Sequence, residues 1–136
     1  RQFRQRDMVG WIESALRRAQ LPPACLTVEL TENVLMDNDA RSCGMLQQLR
    51  ALGVRVAIDD FGTGYCGLGY LREFPVDVLK IDRSFVRDIP MRAADVAIVR
   101  AIIAMARSLR LRTVAEGVES PDQKLFLAAE GCDEAQ

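Results

Sequence analysis

Apolar positions along the chain follow two alternating patterns, one typical of helices and one typical of buried strands. Short runs of apolar and β-branched residues predict four strands, at about 26–30, 54–58, 76–81 and 112–115. Apolar residues at helical spacing predict the other elements, helices at about 9–19, 39–52, 68–73, 93–109 and 120–131. Because the two signals alternate and the strands are apolar throughout, the pattern predicts the α/β class with a parallel sheet.

Proline, glycine and a capping signal mark the ends of several predicted helices. Pro22 and Pro23 end the first helix, and Gly53 follows the second. Residues 120–123 read Ser-Pro-Asp-Gln, a capping box with proline at the first helical position. The long fourth helix is predicted to turn one apolar face inward, formed by Ile98, Ile102, Met105 and Leu109.

The order of the elements predicts part of a larger barrel. The chain opens in a helix with no preceding strand, and it ends where another strand would begin. An open row of four strands would leave unpaired backbone groups at its edges. We therefore expect a partial (β/α)8 barrel of the TIM type, with parallel strands and truncated at both ends.

Composition is that of an ordinary globular protein, with 136 residues, 49% hydrophobic and 27% charged. The net charge of −1 creates no field that attracts DNA, RNA or an anionic membrane. No apolar run approaches the roughly 20 residues of a membrane span. The chain has no histidine, which excludes most nucleophile–histidine hydrolases. Its four cysteines lack the paired spacing of a zinc site, so we expect reduced thiols and a cytoplasmic location.

Ionisable residues stand at the ends of all four predicted strands. Glu29 and Lys80 lie near the ends of the first and third strands, while Asp59 with Asp60 follows the second and Glu116 follows the fourth. The carboxyl ends of the strands carry the active site in (β/α)8 barrels, so four successive units would direct these groups to one mouth. Each residue alone could be a solvated loop residue or a helix cap, but four successive units in agreement are harder to explain that way.

Several carboxylates that face one lysine require compensation. Two like charges about 4 Å apart repel by roughly 4 kcal/mol at an effective dielectric near 20. Protonation or bound divalent cations would relieve that repulsion. Oxygen ligands without histidine or grouped cysteines suit Mg²⁺ or Mn²⁺, and two such ions about 4 Å apart can activate water in phosphate-ester cleavage. The residues therefore predict a metal-dependent barrel enzyme that acts on an anionic substrate.

Other interpretations are open at this point. Residues 62–67 match the glycine pattern of dinucleotide-binding folds, but Asp59 and Asp60 would then face the pyrophosphate. Residues 60–62 spell the magnesium-binding triplet of protein kinases, whose catalytic loop needs a histidine that this chain lacks. An enolase-like barrel, in which a lysine is the base and strand-end acids hold Mg²⁺, is compatible with the residues.

Five motifs in order resemble those of the EAL domain family of cyclic di-GMP phosphodiesterases. They are ELTE at 29–32, DDFGTGY at 59–65, LKIDRSFV at 79–86, AEGVE at 115–119 and GCDEAQ at 131–136. The resemblance covers essentially the whole chain. It implies that residues 1–136 are a partial EAL domain, without the strands that carry the Glu-Ala-Leu tripeptide and without the end of the barrel.

This resemblance implies a (β/α)8 barrel that hydrolyses the bacterial messenger cyclic di-GMP to linear pGpG with two Mg²⁺ or Mn²⁺ ions. The metal ligands that it implies are Glu29, Asp59, Asp60 and Glu116. Lys80 would orient the catalytic water, supported by Glu119 and Gln136. Glu32 would anchor the mobile loop that follows Asp60.

The chain departs from the family pattern in the tripeptide and in the mobile loop. The tripeptide and an asparagine ligand would precede Arg1, so we expect the chain alone to be inactive. Cys66 and Gly67 replace the serines usual after Tyr65, and Cys66 is either an inert serine substitute or a redox-sensitive point.

The resemblance leaves a second function and several partners open. The alternative is a receptor that binds cyclic di-GMP without cleaving it. Such receptors typically lose metal ligands, whereas every ligand position of the family that this chain covers keeps its carboxylate, amide or lysine. The family likeness also allows a homodimer of the intact domain, and fused sensor or diguanylate-cyclase domains.

Overall fold

The computed structural model describes residues 8–31, 40–63, 71 and 74–136. Within these ranges the α-helices α1 to α5 span Met8–Ala19, Ala40–Leu52, Arg83–Val86, Ala93–Ser108 and Pro121–Glu130. The strands β1 to β5 span Thr27–Thr31, Arg55–Phe61, Val78–Ile81, Arg112–Ala115 and Glu134–Ala135. A short 3-10 turn occupies Pro23–Cys25. None of the helices in these ranges is both long and apolar enough to cross a membrane.

The five strands form one sheet in the order β1-β2-β3-β4-β5, and every neighbouring pair is parallel. This confirms the predicted α/β class with parallel strands. Strand β5 has two residues, which is too short to carry a periodic signal in the sequence. The predicted short helix at 68–73 falls mostly outside the described residues, as do Glu32, Cys66 and Gly67.

Strand β2 extends beyond the predicted 54–58 and takes Asp59 and Asp60 into the sheet. Its register against β3 shifts between Ile58 and Phe61. Asp60 has a φ of 55°, a left-handed backbone conformation that is uncommon for a residue other than glycine. The irregularity therefore lies at the residues that were predicted to carry chemistry.

The alternation of side chains along each strand separates the apolar core from the ionisable groups. Successive residues of a strand point to opposite faces of the sheet. Leu30, Ile58 and Leu79 belong to the buried core and are at most 2% exposed. Their neighbours Glu29 and Lys80 point to the other face, where they meet each other.

Helix α4 buries a face that is rotated relative to the predicted one. Val99, Ile103 and Ala106 are buried together with the correctly predicted Ile102, whereas Ile98 is 37% exposed. Most positions of this helix are apolar, so the pattern does not define a single face. Packing against β3 and β4 decides which side is buried.

Helix α5 begins and ends as the sequence predicts. The Ser120 hydroxyl accepts a hydrogen bond from Gln123 N, and the Gln123 side chain accepts one from Ser120 N in return. At the other end Gly131 has a φ of 83°, and a Cβ there would meet the exposed guanidinium of Arg107, which can move aside. Glycine is therefore favoured by the backbone conformation.

Strands β4 and β5 are held together near their amino ends by side-chain hydrogen bonds. Oδ2 of Asp133 accepts from N and Oγ1 of Thr113 at 2.7 and 2.9 Å, and Asp133 N donates to Oγ1 of Thr113 at 3.1 Å. The hydrogen bond from the backbone of Thr113 is the main cause of a lowered pKa of Asp133. This cluster substitutes for ladder bonds that a two-residue strand cannot supply.

We expect Thr113→Val to lower the free energy of unfolding by about 1–2 kcal/mol, because the buried hydroxyl makes two hydrogen bonds with Asp133. Thr113→Ser keeps the hydroxyl and is the matched control in urea denaturation. Since the pKa of Asp133 is lowered by folding, its contribution is present above the ordinary value and is lost as the pH falls through the lowered one. Equal unfolding midpoints for the Val and Ser variants would contradict the role of the hydroxyl.

Candidate active site

The strand ends bring the predicted ionisable residues to one edge of the sheet. Glu29 lies in β1, Asp59 and Asp60 in β2, Lys80 in β3, and Glu116 directly follows β4. Because these strands are parallel and adjacent in chain order, their carboxyl ends lie side by side. The predicted convergence is therefore present in the described residues.

Lys80 is the centre of this cluster. The residue is 7% exposed, and its Nζ lies 2.8 Å from Oε1 of Glu29, 3.1 Å from Oδ1 of Asp59 and 2.5 Å from Oε1 of Glu116. Burial acts to lower the pKa of Lys80, but the close pairing with these carboxylates outweighs it and raises that pKa above its ordinary value. Lys80 is therefore a fixed cation and cannot accept a proton at neutral pH.

Negative charge in the cluster exceeds the single charge of Lys80. Carboxylate oxygens of Asp59, Asp60 and Glu116 lie within 4.8 Å of one another. Oδ1 of Asp59 is buried and makes no hydrogen bond of normal geometry in the described part of the chain, although Nζ of Lys80 is 3.1 Å away. Three carboxylates this close together fit a hard divalent cation. Asp59, Asp60 and Glu116 therefore fit the predicted metal group, whereas Glu29, the fourth predicted ligand, contacts Lys80 and lies outside this group.

Asp82 belongs to the cluster although sequence reasoning did not assign it a role there. Desolvation, the charge of Asp59 and a hydrogen bond with Asp82 raise the pKa of Asp60. Desolvation acts to raise the pKa of Asp82 as well, but hydrogen bonds from Ser84 outweigh it and lower that pKa. Asp82 also caps α3 by accepting from Ser84 N at 2.9 Å. The position of Asp82 two residues after Lys80 is the sequence feature that could have indicated this role.

The predicted supporting residues are less tightly connected to Lys80. Backbone hydrogen bonds join Gln136 N to Ala115 O at 2.8 Å and Val118 N to Gln136 O at 3.0 Å, which places Gln136 beside the end of β4. Among the described residues, no hydrogen bond or ion pair joins the side chain of Gln136 or Glu119 to Lys80. Glu32 lies outside the described residues, so its predicted anchoring role stays a prediction.

Gln123 is a second residue that sequence reasoning assigned only to a helix cap. It is 5% exposed, and its Oε1 accepts from Glu119 N at 2.7 Å and from Ser120 N at 2.9 Å. Its Nε2 donates to the carbonyl oxygens of Val86 and Arg87 at 3.1 and 2.9 Å. One buried amide thus ties the loop after β4, which carries Glu119, to the end of α3.

Comparison with known proteins decides the family. The family model described as EAL domain matches residues 1–136. The chain belongs to the EAL domain family. The cyclic di-GMP phosphodiesterase NbdA of Pseudomonas aeruginosa is 49% identical over 130 residues, which cover 96% of this chain and 17% of NbdA. The chain thus spans about a sixth of the length of the curated relatives that it matches most strongly.

Solved EAL structures have the same fold as this EAL chain. The PaMucR phosphodiesterase in complex with c-di-GMP matches with a TM-score of 0.93 at 44% identity, over 99% of this chain and 55% of the other. A manganese/cy-diGMP complex of Klebsiella pneumoniae BlrP1 matches with a TM-score of 0.87 at 35% identity, over 96% of this chain and 33% of that one. The predicted family and TIM-barrel fold class of the EAL domain are confirmed.

We expect Lys80→Met to lower the free energy of unfolding by about 2 kcal/mol or more at pH 7.5 in EDTA, because it leaves Glu29, Asp59 and Glu116 facing one another. Salt screens repulsion between partly exposed charges, so the loss should shrink as the salt concentration is raised. Lys124→Met, which changes the exposed second lysine of the chain, is the control. A loss of the same size at low and at high salt would argue against carboxylate repulsion as its cause.

Gln123→Leu is expected to destabilise the fold by about 2–4 kcal/mol, because two backbone N–H groups and two carbonyl oxygens lose their partner. Gln123→Glu keeps the acceptor and loses the donor, so it should fall between Leu and wild type in a urea titration. The exposed neighbour Lys124 provides the control Lys124→Leu, which should change stability by less than about 0.5 kcal/mol.

Proposed function

We propose that this chain is part of a (β/α)8 barrel that hydrolyses cyclic di-GMP to linear pGpG with divalent cations. The observation that carries the proposal is the Lys80 ammonium held by Glu29, Asp59 and Glu116 at the carboxyl ends of the strands. Two relatives, NbdA and PdeR, are named cyclic di-GMP phosphodiesterases, and PaMucR binds c-di-GMP in its solved structure. These names support the same substrate for the intact domain.

Metal binding follows from the charge of the cluster. A mouth lined by carboxylates repels a phosphodiester anion unless cations balance it. Glu29, Asp59, Asp60 and Glu116 are the residues that would hold Mg²⁺ or Mn²⁺, and the manganese complex of BlrP1 supports this chemistry. Bound divalent cations supply a low-pKa water and neutralise charge on the phosphate. We propose two ions, in keeping with the excess of carboxylates over the single lysine.

Lys80 has a restricted part in this hydrolysis. Water adds across one phosphodiester bond, so that its oxygen ends on phosphorus and the 3′ oxygen leaves with a proton. As an ammonium in contact with three carboxylates, Lys80 can donate a hydrogen bond to the attacking water or to a phosphate oxygen. The proton of the water would pass to a carboxylate of the cluster or to solvent.

The other predicted site residues support this centre in our proposal. Glu119 and Gln136 flank the end of β4 and would help to hold the water or the substrate. Glu32 would anchor the loop after Asp60 by family likeness. Because Gln123 fixes the backbone of Glu119, the position of that carboxylate depends on a buried amide.

The setting of the domain is also a proposal. MucR is named a bifunctional diguanylate cyclase/cyclic di-GMP phosphodiesterase, and this chain covers 20% of its length. We infer that fused sensor or diguanylate-cyclase domains accompany the intact protein, that it acts in the cytoplasm, and that its EAL domain can pair with a second copy.

The decisive assay is the Mn²⁺-dependent conversion of cyclic di-GMP to pGpG by the intact domain. Glu116→Gln should lower turnover by more than the roughly 10–100-fold loss that is typical when a residue hydrogen-bonded to a metal ligand is changed. Glu13→Gln makes the same change in an exposed carboxylate on α1 and should leave turnover unaltered. EDTA should abolish turnover, and added Mn²⁺ should restore it.

Other outcomes separate the alternatives. Binding of cyclic di-GMP without turnover would identify a receptor and overturn the catalytic proposal. Absence of both binding and turnover would overturn the substrate as well. Full activity of Glu116→Gln would remove that residue from the metal ligands and leave the substrate assignment intact.

A further inference from the structure

A cavity lies at the amino ends of β2, β3 and β4, at the opposite end of the strands from Lys80. Its volume is about 610 Å³, within the range of roughly 300–1,000 Å³ that is usual for small-molecule sites. Its apolar wall consists of Leu71, Phe74, Val76, Val78, Leu109 and Leu111. Active sites of barrels of this type lie at the carboxyl ends of the strands, so this cavity has no part in the hydrolysis proposed above.

The polar lining of the cavity is basic among the described residues. These contribute the charged side chains of Arg50, Arg55, Asp77, Arg110 and Arg112. Arg50 lies 3.8 Å from Asp77, and Arg112 pairs with Glu134. In the described part of the chain no carboxylate lies within 4.0 Å of the guanidinium of Arg55 or Arg110. Two arginines that share one cavity thus have no ion-pair partner among the described residues.

Arg110 occupies a backbone position that favours glycine. It follows the C-terminus of α4 with a φ of 59°, and the left-handed conformation is strained for a residue with a Cβ. The negative end of the helix dipole attracts a cation there, which offsets part of that strain. The dipole accounts for a basic residue at this place but not for a side chain that lines the cavity. A strained residue whose side chain lines a cavity points to a use for that side chain.

We propose that this cavity binds a phosphorylated small molecule of nucleotide size. The guanidiniums of Arg55 and Arg110 would contact the phosphate, because a guanidinium presents paired N–H groups that match phosphate oxygens. The apolar wall would contact the organic part of the ligand. No metal is needed, since the arginines supply the positive charge. The strand β2 joins this site to the cluster, with Arg55 four residues, or about 13 Å, before Asp59.

Binding can be measured with ADP, pyrophosphate and adenosine as probes, by titration calorimetry on the intact protein in EDTA. EDTA removes divalent cations, so that the carboxylate cluster repels phosphates. ADP should bind, pyrophosphate should bind at least about tenfold more weakly, and adenosine should not bind measurably. Arg55→Gln and Arg110→Gly should each weaken ADP binding at least about tenfold, since each removes one ion pair between an arginine and the phosphates of ADP. Arg18→Gln, in an exposed arginine of α1, should leave it unchanged.

Arg110→Gly separates a binding role from a structural one. It should raise the melting temperature of the ligand-free protein while weakening ADP binding, because glycine adopts the left-handed conformation without strain. A lower melting temperature would mean that Arg110 stabilises the fold and would overturn the strain argument. In that case the ADP affinity of Arg55→Gln tests whether the cavity binds phosphate. ADP affinity that survives both substitutions, or that is absent in the wild type, would overturn the site. Equal affinities for ADP and pyrophosphate would overturn the role of the apolar wall.

Discussion

The burial of the Lys80 ammonium is the constraint on which the carboxyl end of the sheet depends. A charged lysine that is 7% exposed needs opposite charges in contact, and these come from β1, from β2 and from the residue after β4. Contact with Glu29, Asp59 and Glu116 together fixes the relative positions of the carboxyl ends of these strands. The same contacts leave a surplus of negative charge, so the arrangement that satisfies the lysine also prepares the place where the proposed divalent cations would bind.

The two ends of the strands differ in charge, although the chain as a whole carries only −1. Carboxylates gather at the carboxyl ends around Lys80, whereas arginines line the cavity at the amino ends. Strand β2 contributes to both ends with Arg55 and Asp59, and β4 does so with Arg112 and the adjoining Glu116. A parallel sheet produces this separation because all of its strands begin at one end and finish at the other. Net charge alone therefore gives a poor description of the surfaces that a ligand would meet.

The sequence allowed the class, the parallel strands and the convergence of ionisable residues at the strand ends to be predicted, because these depend on strong local signals. Apolar runs mark β1 to β4, and charged residues at their ends mark the mouth. The buried face of α4 was predicted wrongly at Ile98, since a helix that is apolar at most positions has no unique face until it packs. Gln123 and Asp82 were not predicted as site residues, because their partners, Val86 and Asp60, are distant in sequence and meet them only in the folded chain. The roles of Glu119, Gln136 and Glu32 come from family likeness and stay predictions.

The simple strand order has a consequence for how the protein forms. Each described strand after β1 pairs with the strand that precedes it along the chain. Glu29 and Asp59 precede Lys80 in the sequence and Glu116 follows it, so β1 and β2 leave the ribosome before β3. If the strands pair in that order, two counter-charges are available when the lysine is buried, and the third completes the cluster afterwards.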